Sequence, residues 1–410
     1  MHDLAIIGAG PAGSTLALVC AANGLDTVLV DARPTDLPAR ADTRNYAVVR
    51  GSWHLLESAV VTARIDRADI QPLNGLEATD GSHGFGAPSV LFSAADIPPG
   101  GGDGNTLGWM IEAETLQTAL DAAVAEETRL KRLRPALFEN YEPVEGGVSI
   151  ALQNGRVIEA RLLAGCDGVN SPVRTAAGIG VEGREYGKSV FAANVALDRP
   201  HDGIARQLFT PEGPFATLPL TGDRANLAWY MKSGAAEALA RRTAEEIEAE
   251  LNHRFADFAG RMRLDGPVSA YPLRLQIARD MIAGRVALVG DAAHRINPLA
   301  GQGLNLGFKD VAVLAELASQ AVRCGLDPGA ANQLEDYRRK RRFDDTLTAL
   351  GMDAIDRLYS NENPVLKPLR GLALGAADRL PWLRGALASQ ASATRSGLPG
   401  LMKPGDRAGN

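Results

Sequence analysis

Three groups of residues in this 410-residue chain are spaced for chemistry. The first is Gly8-Ala9-Gly10-Pro11-Ala12-Gly13, with Asp31 downstream of it. In that pattern Gly8 and Gly10 let backbone approach a pyrophosphate, Gly13 lets a helix pack closely, and the acid meets the ribose hydroxyls of a nucleotide. The second group is Cys166-Asp167-Gly168. The third is Gly290-Asp291, followed by a loop from Pro298 to Asn305. Taken singly, each of the last two fits an ordinary turn between strand and helix. Cys20, Cys166 and Cys324 lie far apart, and the six histidines are scattered with no carboxylate at ligand spacing, so a resident metal is not expected.

The segments around these groups decide what they can do. Leu4 to Ile7 is a short apolar strand running into the glycines, an Ala/Leu-rich helix extends to about Asn23, and a second strand, Thr27 to Val30, ends at Asp31. Strand, glycine turn, helix, strand and acid in that order predict a dinucleotide site, with FAD and NAD both open. LLAGCDGVNSPVR at 162–174 reads as a buried strand ending at the Asp-Gly pair, with Ser171 and Pro172 suited to the N-cap and first turn of a helix. RVALVGDAAHRINPLAGQGLNLGFKD at 285–310 reads as an apolar strand, the Gly-Asp pair, a Gly/Pro loop and a long helix from near Asn305.

Between Ser189 and Tyr230 the runs VFAANVAL, FATLPL and NLAWYM alternate as antiparallel strands do, and a helix is expected from about Ala235 to Phe258. The expected fold class is therefore α/β. A three-layer dinucleotide-binding domain (1–75, 105–180 and 270–345) is interrupted by an antiparallel-sheet substrate domain (76–104 and 181–269) and followed by a helical C-terminal segment (346–410). Leu218, Trp229 and Met231 are candidates to line a substrate cavity, although alternating apolar residues more often form plain core.

In this order the three motifs resemble the fingerprint of the aromatic-hydroxylase flavoproteins. PLAGQGLNLGFKD at 298–310, LYSNENPVLKPLRGLALGAADRLPWLR at 358–384, and Asp42-Thr43-Arg44 with Gly51-Ser52 narrow the resemblance to the ubiquinone-biosynthesis hydroxylases, over nearly the whole chain. The resemblance implies FAD as cofactor. It places Gly8, Gly10, Gly13, Asp31, Arg33, Arg44, Gln117, Asp167, Gly290, Asp291, Gly301, Gln302, Gly303, Leu304 and Asn305 around it. Asp291 would bond the ribityl chain and Arg44 would touch the cofactor, while the backbone of Pro298, Gly301 and Gly303 would lie against the flavin ring as the catalytic loop. The helix that follows would stabilise the reduced ring's charge by its dipole.

The implied reaction inserts one oxygen atom of O2 into the ring of a polyprenylated phenol through a C4a-hydroperoxyflavin. The protein supplies positioning and exclusion of water. Electrons would come from NAD(P)H or a carrier protein, since no second nucleotide motif is present. His294 is either a structural hydrogen-bonding group or a proton carrier. Two departures stand out: Asn297 where many relatives have histidine, and Glu114, within LGWMIEAETLQTAL, where many have arginine. An acid facing an anionic cofactor would weaken its binding.

With 45% hydrophobic and 22% charged residues, a net charge of -6, no apolar run near bilayer length and no signal peptide, the chain is expected to be globular and cytoplasmic, with no nucleic acid as partner. Residues 361–410 differ from the rest. They carry seven bases (Lys367, Arg370, Arg379, Arg384, Arg395, Lys403, Arg407) against three acids (Glu362, Asp378, Asp406), interleaved with leucines and Trp382. This fits either a peripheral contact with the inner face of a membrane, or with a membrane-bound protein of ubiquinone biosynthesis, or a helix packed on the FAD domain. RRKRR at 338–342 reads as a solvated helix face, with a docking site for a reductant phosphate as the sharper reading, and Gly100 to Gly104 as a surface loop or a mobile cover. Three other functions stay open: a soluble aromatic or polyketide hydroxylase, a flavin-dependent prenyl reductase, and a non-catalytic assembly or lipid-presenting subunit.

Overall fold

Leu4, Ala5 and Ile6 are fully buried, as befits a strand covered on both faces by helices. The computed structural model describes residues 1–34, 44–81, 89–96, 106–210, 212–295, 302–341 and 398–404. In its first sheet the strand His2–Ile7 lies between Thr27–Val30 and Val157–Gly165, parallel to both. Leu130–Leu133 and Val286–Leu288 extend the parallel core on either side. Helix α1 (Pro11–Ala22) follows the first strand, and its residues 13–21 are all buried, because it is enclosed between the sheet and neighbouring helices. A three-stranded sheet, Asn45–Val49, Gly108–Glu112 and Ile70–Leu73, sits beside it with helices α2 (Arg50–Ser58) and α3 (Ala113–Glu126). The strand 157–165 leads into the short helix α4 (Pro172–Ala176), where Ser171 caps as the sequence suggested, its Oγ accepting from the Arg174 N–H.

The second sheet has nine strands and is antiparallel throughout, except where Ile204–Thr210 runs parallel to Gly75–Asp80. Its spine is the long strand Val181–Leu197, paired with Arg224–Lys232 on one side and Ser269–Ala278 on the other. The 269–278 strand thus carries this sheet past the boundary at 270 read from the sequence. One face is covered by helices α5 (Ala235–Leu239) and α6 (Ala244–Ala259), not by the single helix expected from Ala235 to Phe258. The break has a local cause: Thr243 and Glu246 form a reciprocal capping box that starts a new helix. Phe215 stacks on Phe255 at 3.8 Å and Trp229 meets the same ring edge-on at 5.0 Å. Burying the two phenylalanines contributes about 1.5–3 kcal/mol each.

Helix α7 (Gln302–Arg323) starts a little before the expected Asn305 and returns across the first sheet onto α1. It is followed by helix α8, residues 331–341. Among the described residues no helix is long and apolar enough to cross a membrane.

Candidate active site

The glycines of the first motif have separate tasks. Gly8 has φ +101°, and a Cβ there would stand 2.5 Å from the Cys166 carbonyl oxygen; a Cβ on Gly13 would stand 1.9 Å from the Gly8 oxygen. These two positions therefore need glycine for the fold itself. A Cβ on Gly10 would meet nothing within 4 Å. Gly10 is also the N-cap of α1, with no side-chain cap and no acid in the first turn. The turn thus offers uncapped amides and an uncompensated dipole to an anion, with space left for one.

Asp31 holds this turn in shape. Its Oδ2 accepts from the Ala9 N–H at 2.7 Å and its Oδ1 from the Arg33 N–H at 2.8 Å. Arg33 reaches back with Nη2 to the Ala9 carbonyl at 2.7 Å, and Gln117 on α3 donates to the same oxygen at 3.1 Å. Glu114, one turn before Gln117 on the same side of α3, is exposed.

The other two motifs close on the first. Cys166 backs onto Gly8 and Gly13, and Arg174 joins the second motif to the third, its guanidinium donating to Ala292 O at 2.8 Å and Val169 O at 2.9 Å. Gly290, with φ +65°, is seated between Ala12 of α1 and Gly307 of α7. Asp291 is exposed and forms no hydrogen bond among the described residues. Asp167 Oδ2 accepts from the Val173 N–H at 2.9 Å, while its buried Oδ1 has no partner among the described residues. Burial raises its carboxyl pKa, and hydrogen bonds from Ser171 and Val173 offset only part of that.

Beneath the Gly-Asp turn lies a charge network that the sequence reading missed. Asp310, fully buried in α7, accepts from the Gly290 N–H at 2.8 Å and from Arg341 Nε at 2.6 Å, and lies 2.7 Å from His294 Nε2. Burial alone would raise the Asp310 pKa, but His294 and Arg341 outweigh it and hold the carboxyl below its usual range. His294 is thus held in place by its contact with Asp310. Arg341 is 1% exposed, which corrects the reading of RRKRR as a solvated face: at this position α8 turns inward to meet Asp310. The signal available was a lone acid on an apolar stretch, Asp310 before Val311-Ala312-Val313.

Of the expected flavin loop, Pro298, Gly301 and Asn297 lie outside the described residues, as do Gly100 to Gly104. Gln302 begins α7, and a Cβ on Gly303 would meet nothing within 4 Å. Leu304 packs on the core. The Asn305 amide binds the strand 45–49, donating to Ala47 O at 2.7 Å and accepting from the Val49 N–H at 3.1 Å. Arg44 is exposed, its guanidinium 5.7 Å from the Tyr46 ring centre.

The three substrate candidates separate. Trp229 (2% exposed) and Met231 face α6 and belong to the core on that side, a correction to their reading as cavity lining, because strand alternation turns them away from the cofactor motifs. Leu218 is on the opposite face, packed against Ala47 and Met110 of the three-stranded sheet.

Residues 1–343 match the family described as "FAD binding domain". The chain is 37% identical to "Ubiquinone hydroxylase UbiL" of Rhodospirillum rubrum over 92% of its own length and 86% of that protein. It is 32% identical to the "3-demethoxyubiquinol 3-hydroxylase" of Escherichia coli K12, over 92% and 95% of the two chains. The chain belongs to the FAD-binding ubiquinone hydroxylase family. Its fold is that of p-nitrophenol 4-monooxygenase PnpA from Pseudomonas putida, with a TM-score of 0.77 at 18% identity over 96% and 98% of the chains.

FAD is the cofactor of this family, and the residues present fit it. The space at Gly10 and Gly303, the uncapped start of α1, and the Asp291 carboxylate and Asp167 Oδ1, neither of which has a partner among the described residues, gather where the three motifs meet. A dinucleotide with an anionic middle and a hydroxyl-rich chain has the complementary groups.

Proposed function

We propose that this family member hydroxylates the aromatic ring of a polyprenylated phenol in ubiquinone biosynthesis, taking one oxygen atom from O2 and releasing the other as water. The observation that carries this reading is the convergence of all three cofactor motifs on one point below the second sheet, in a chain matched over most of its length by ubiquinone hydroxylases. Bound FAD, once reduced, supplies the activation of O2. The overall balance is one phenol, O2, two electrons and two protons giving the hydroxylated ring and water.

The chain's own residues bind, orient and shield. Gly10 and the first amides of α1 take the pyrophosphate; Asp31, Arg33 and Gln117 keep that turn in shape, and Asp291 accepts from the ribityl hydroxyls. Arg44 lies against the cofactor. The backbone of Gln302, Gly303 and Leu304 at the start of α7 would border the flavin ring, with the α7 dipole favouring negative charge there. Leu218 and the residues beside it on the inner sheet face hold the substrate ring and keep water out. Electrons come from NAD(P)H bound transiently or from a carrier protein. Residues 361–397, basic and leucine-rich, bring the enzyme to the inner face of a membrane, where a polyprenylated phenol resides.

Expression in hosts blocked at each ring-hydroxylation step tests the reading. Restored ubiquinone in one of them, with oxygen consumption by the purified protein that depends on phenol, is the expected result. A yellow protein that reduces a prenyl double bond without oxygen would overturn it.

A further inference from the structure

An amide cluster occupies the inner sheet face, where the second sheet meets the strand 45–49. Asn194 and Asn226 are cross-strand partners. Asn45 Nδ2 donates to Asn194 Oδ1 at 2.9 Å, Asn226 Nδ2 donates to the same oxygen at 2.9 Å, and Asn226 Nδ2 also approaches Ala193 O at 3.4 Å. Two donors saturate one carbonyl oxygen, and a flipped Asn194 would set its NH2 against two others, so the amide orientation is fixed. Asn194 Nδ2 is left with both hydrogens and donates to no described residue, and Asn226 Oδ1 accepts from none. Both residues are partly buried.

The surroundings give this pair a ligand-sized setting. Ala192, Ala228 and Ala216 lie in register on three adjacent strands of the same face, all partly exposed. Beyond them come Tyr230 and Tyr271, the latter in the field of Arg44 and Arg295. A floor of methyl groups between an amide end and an aromatic end admits a flat ring. Asn305 ties the strand that supplies Asn45 to the start of α7, so the amide end is held in fixed relation to the cofactor helix. One free donor beside one free acceptor is the complement of a hydroxyl, which accepts one bond and donates one; an ether can only accept.

We propose that Asn194, held by Asn45 and paired with Asn226, is a specificity-determining residue that binds the hydroxyl of the substrate phenol. The inference rests on the phenol-hydroxylase reading above. A site built to bond a hydroxyl rejects the analogue that cannot donate, because a polar group is then left unpaired.

The test uses the FAD-loaded protein with a short-chain 2-prenylphenol and its methyl ether, reading each dissociation constant from the change in flavin absorption and FAD affinity separately. The wild type should prefer the phenol by about tenfold or more. Asn226→Leu, which removes the acceptor, should abolish that preference while leaving methyl ether and FAD binding within about twofold, whereas Asn194→Leu, which removes the donor, should weaken phenol and ether alike by about tenfold at unchanged FAD affinity, the loss of one pairing being worth roughly a factor of ten. Should the leucine variants fail to fold, Asn194→Asp keeps the acceptor for Asn45 and Asn226. It should weaken the ether by about tenfold, since two acceptors then face each other, but the phenol, which can turn its hydrogen, far less. A preference unchanged in Asn226→Leu and in Asn194→Asp, or an Asn194→Leu protein that binds both ligands as the wild type does, would refute the assignment of Asn194. A wild-type protein that carries FAD but binds and hydroxylates no phenol would instead refute the functional reading, and this inference with it.

Discussion

Replacing Gly10 and Gly13 by alanine, one at a time, separates binding from folding. At Gly10 the new methyl group meets no protein atom within 4 Å, and φ −71° with ψ −178° suits alanine. The fold should lose only the N-cap preference of glycine over alanine, about 0.5–1 kcal/mol. The same methyl group stands where the pyrophosphate must approach the α1 amides. Displacing one charged oxygen from its amide costs about 1.5–3 kcal/mol, so the FAD dissociation constant should rise roughly tenfold to hundredfold. At Gly13 the methyl group would lie 1.9 Å from the Gly8 oxygen, so α1 must move away from the sheet. Overpacking of that kind costs about 1–3 kcal/mol of stability even without cofactor. The assay is FAD titration by flavin fluorescence, alongside chemical unfolding of the apoprotein. The reasoning fails if Gly10→Ala binds FAD within about twofold of wild type, or if Gly13→Ala leaves the apoprotein as stable as before.

Asp291→Ala removes an exposed carboxylate that bonds no described residue, so apoprotein stability should stay within about 0.5 kcal/mol while FAD binding loses one or two bonds of about 0.5–1.5 kcal/mol each; calorimetry with and without FAD reads both. Glu114→Arg reverses a charge on the α3 side that carries Gln117 and should tighten FAD binding. It should cost the apoprotein about 0.3–1 kcal/mol, because an acid in a helix's first turn is favourable; unchanged affinity would show that Glu114 points away from the cofactor. Arg341→Met leaves Asp310 buried without its guanidinium, a loss of about 3–5 kcal/mol at neutral pH in denaturant unfolding. The wild-type Asp310 carboxyl is held below its usual range, so its contribution is present above the unfolded-state pKa of about 3.9 and is lost as pH falls through the lower folded value. The gap between Arg341→Met and wild type should therefore narrow in acid, and a gap that stays constant down to the acid transition would refute the assignment.

The anchoring of the C-terminal tip could not be read from charge and hydropathy. Leu401 and Met402 are buried against the FAD unit, and the Leu401 N–H donates to Glu316 on α7 at 2.8 Å. The tip is therefore packed on the fold, whatever residues 361–397 do. A tail tested for membrane binding should accordingly be altered at Lys367, Arg370, Arg379 and Arg384 and not truncated, since truncation would also remove this contact.

What the sequence determined by itself was local. A glycine pattern between a strand and a helix, a Ser-Pro helix start at Ser171 and strand alternation are short-range signals, and they located the cofactor motifs, the helix α4 cap and the second sheet. Only the tertiary structure decided which way each alternating strand faced. Period-two patterning is the same whether Trp229 looks at α6 or Leu218 does, and the side is set by where the helices and the first sheet pack. The tertiary structure likewise turned Arg341 inward, because a charge is buried only where a distant partner such as Asp310 waits for it. It also brought Asn45 across to Asn194, a pairing between residues 149 positions apart that no local pattern encodes.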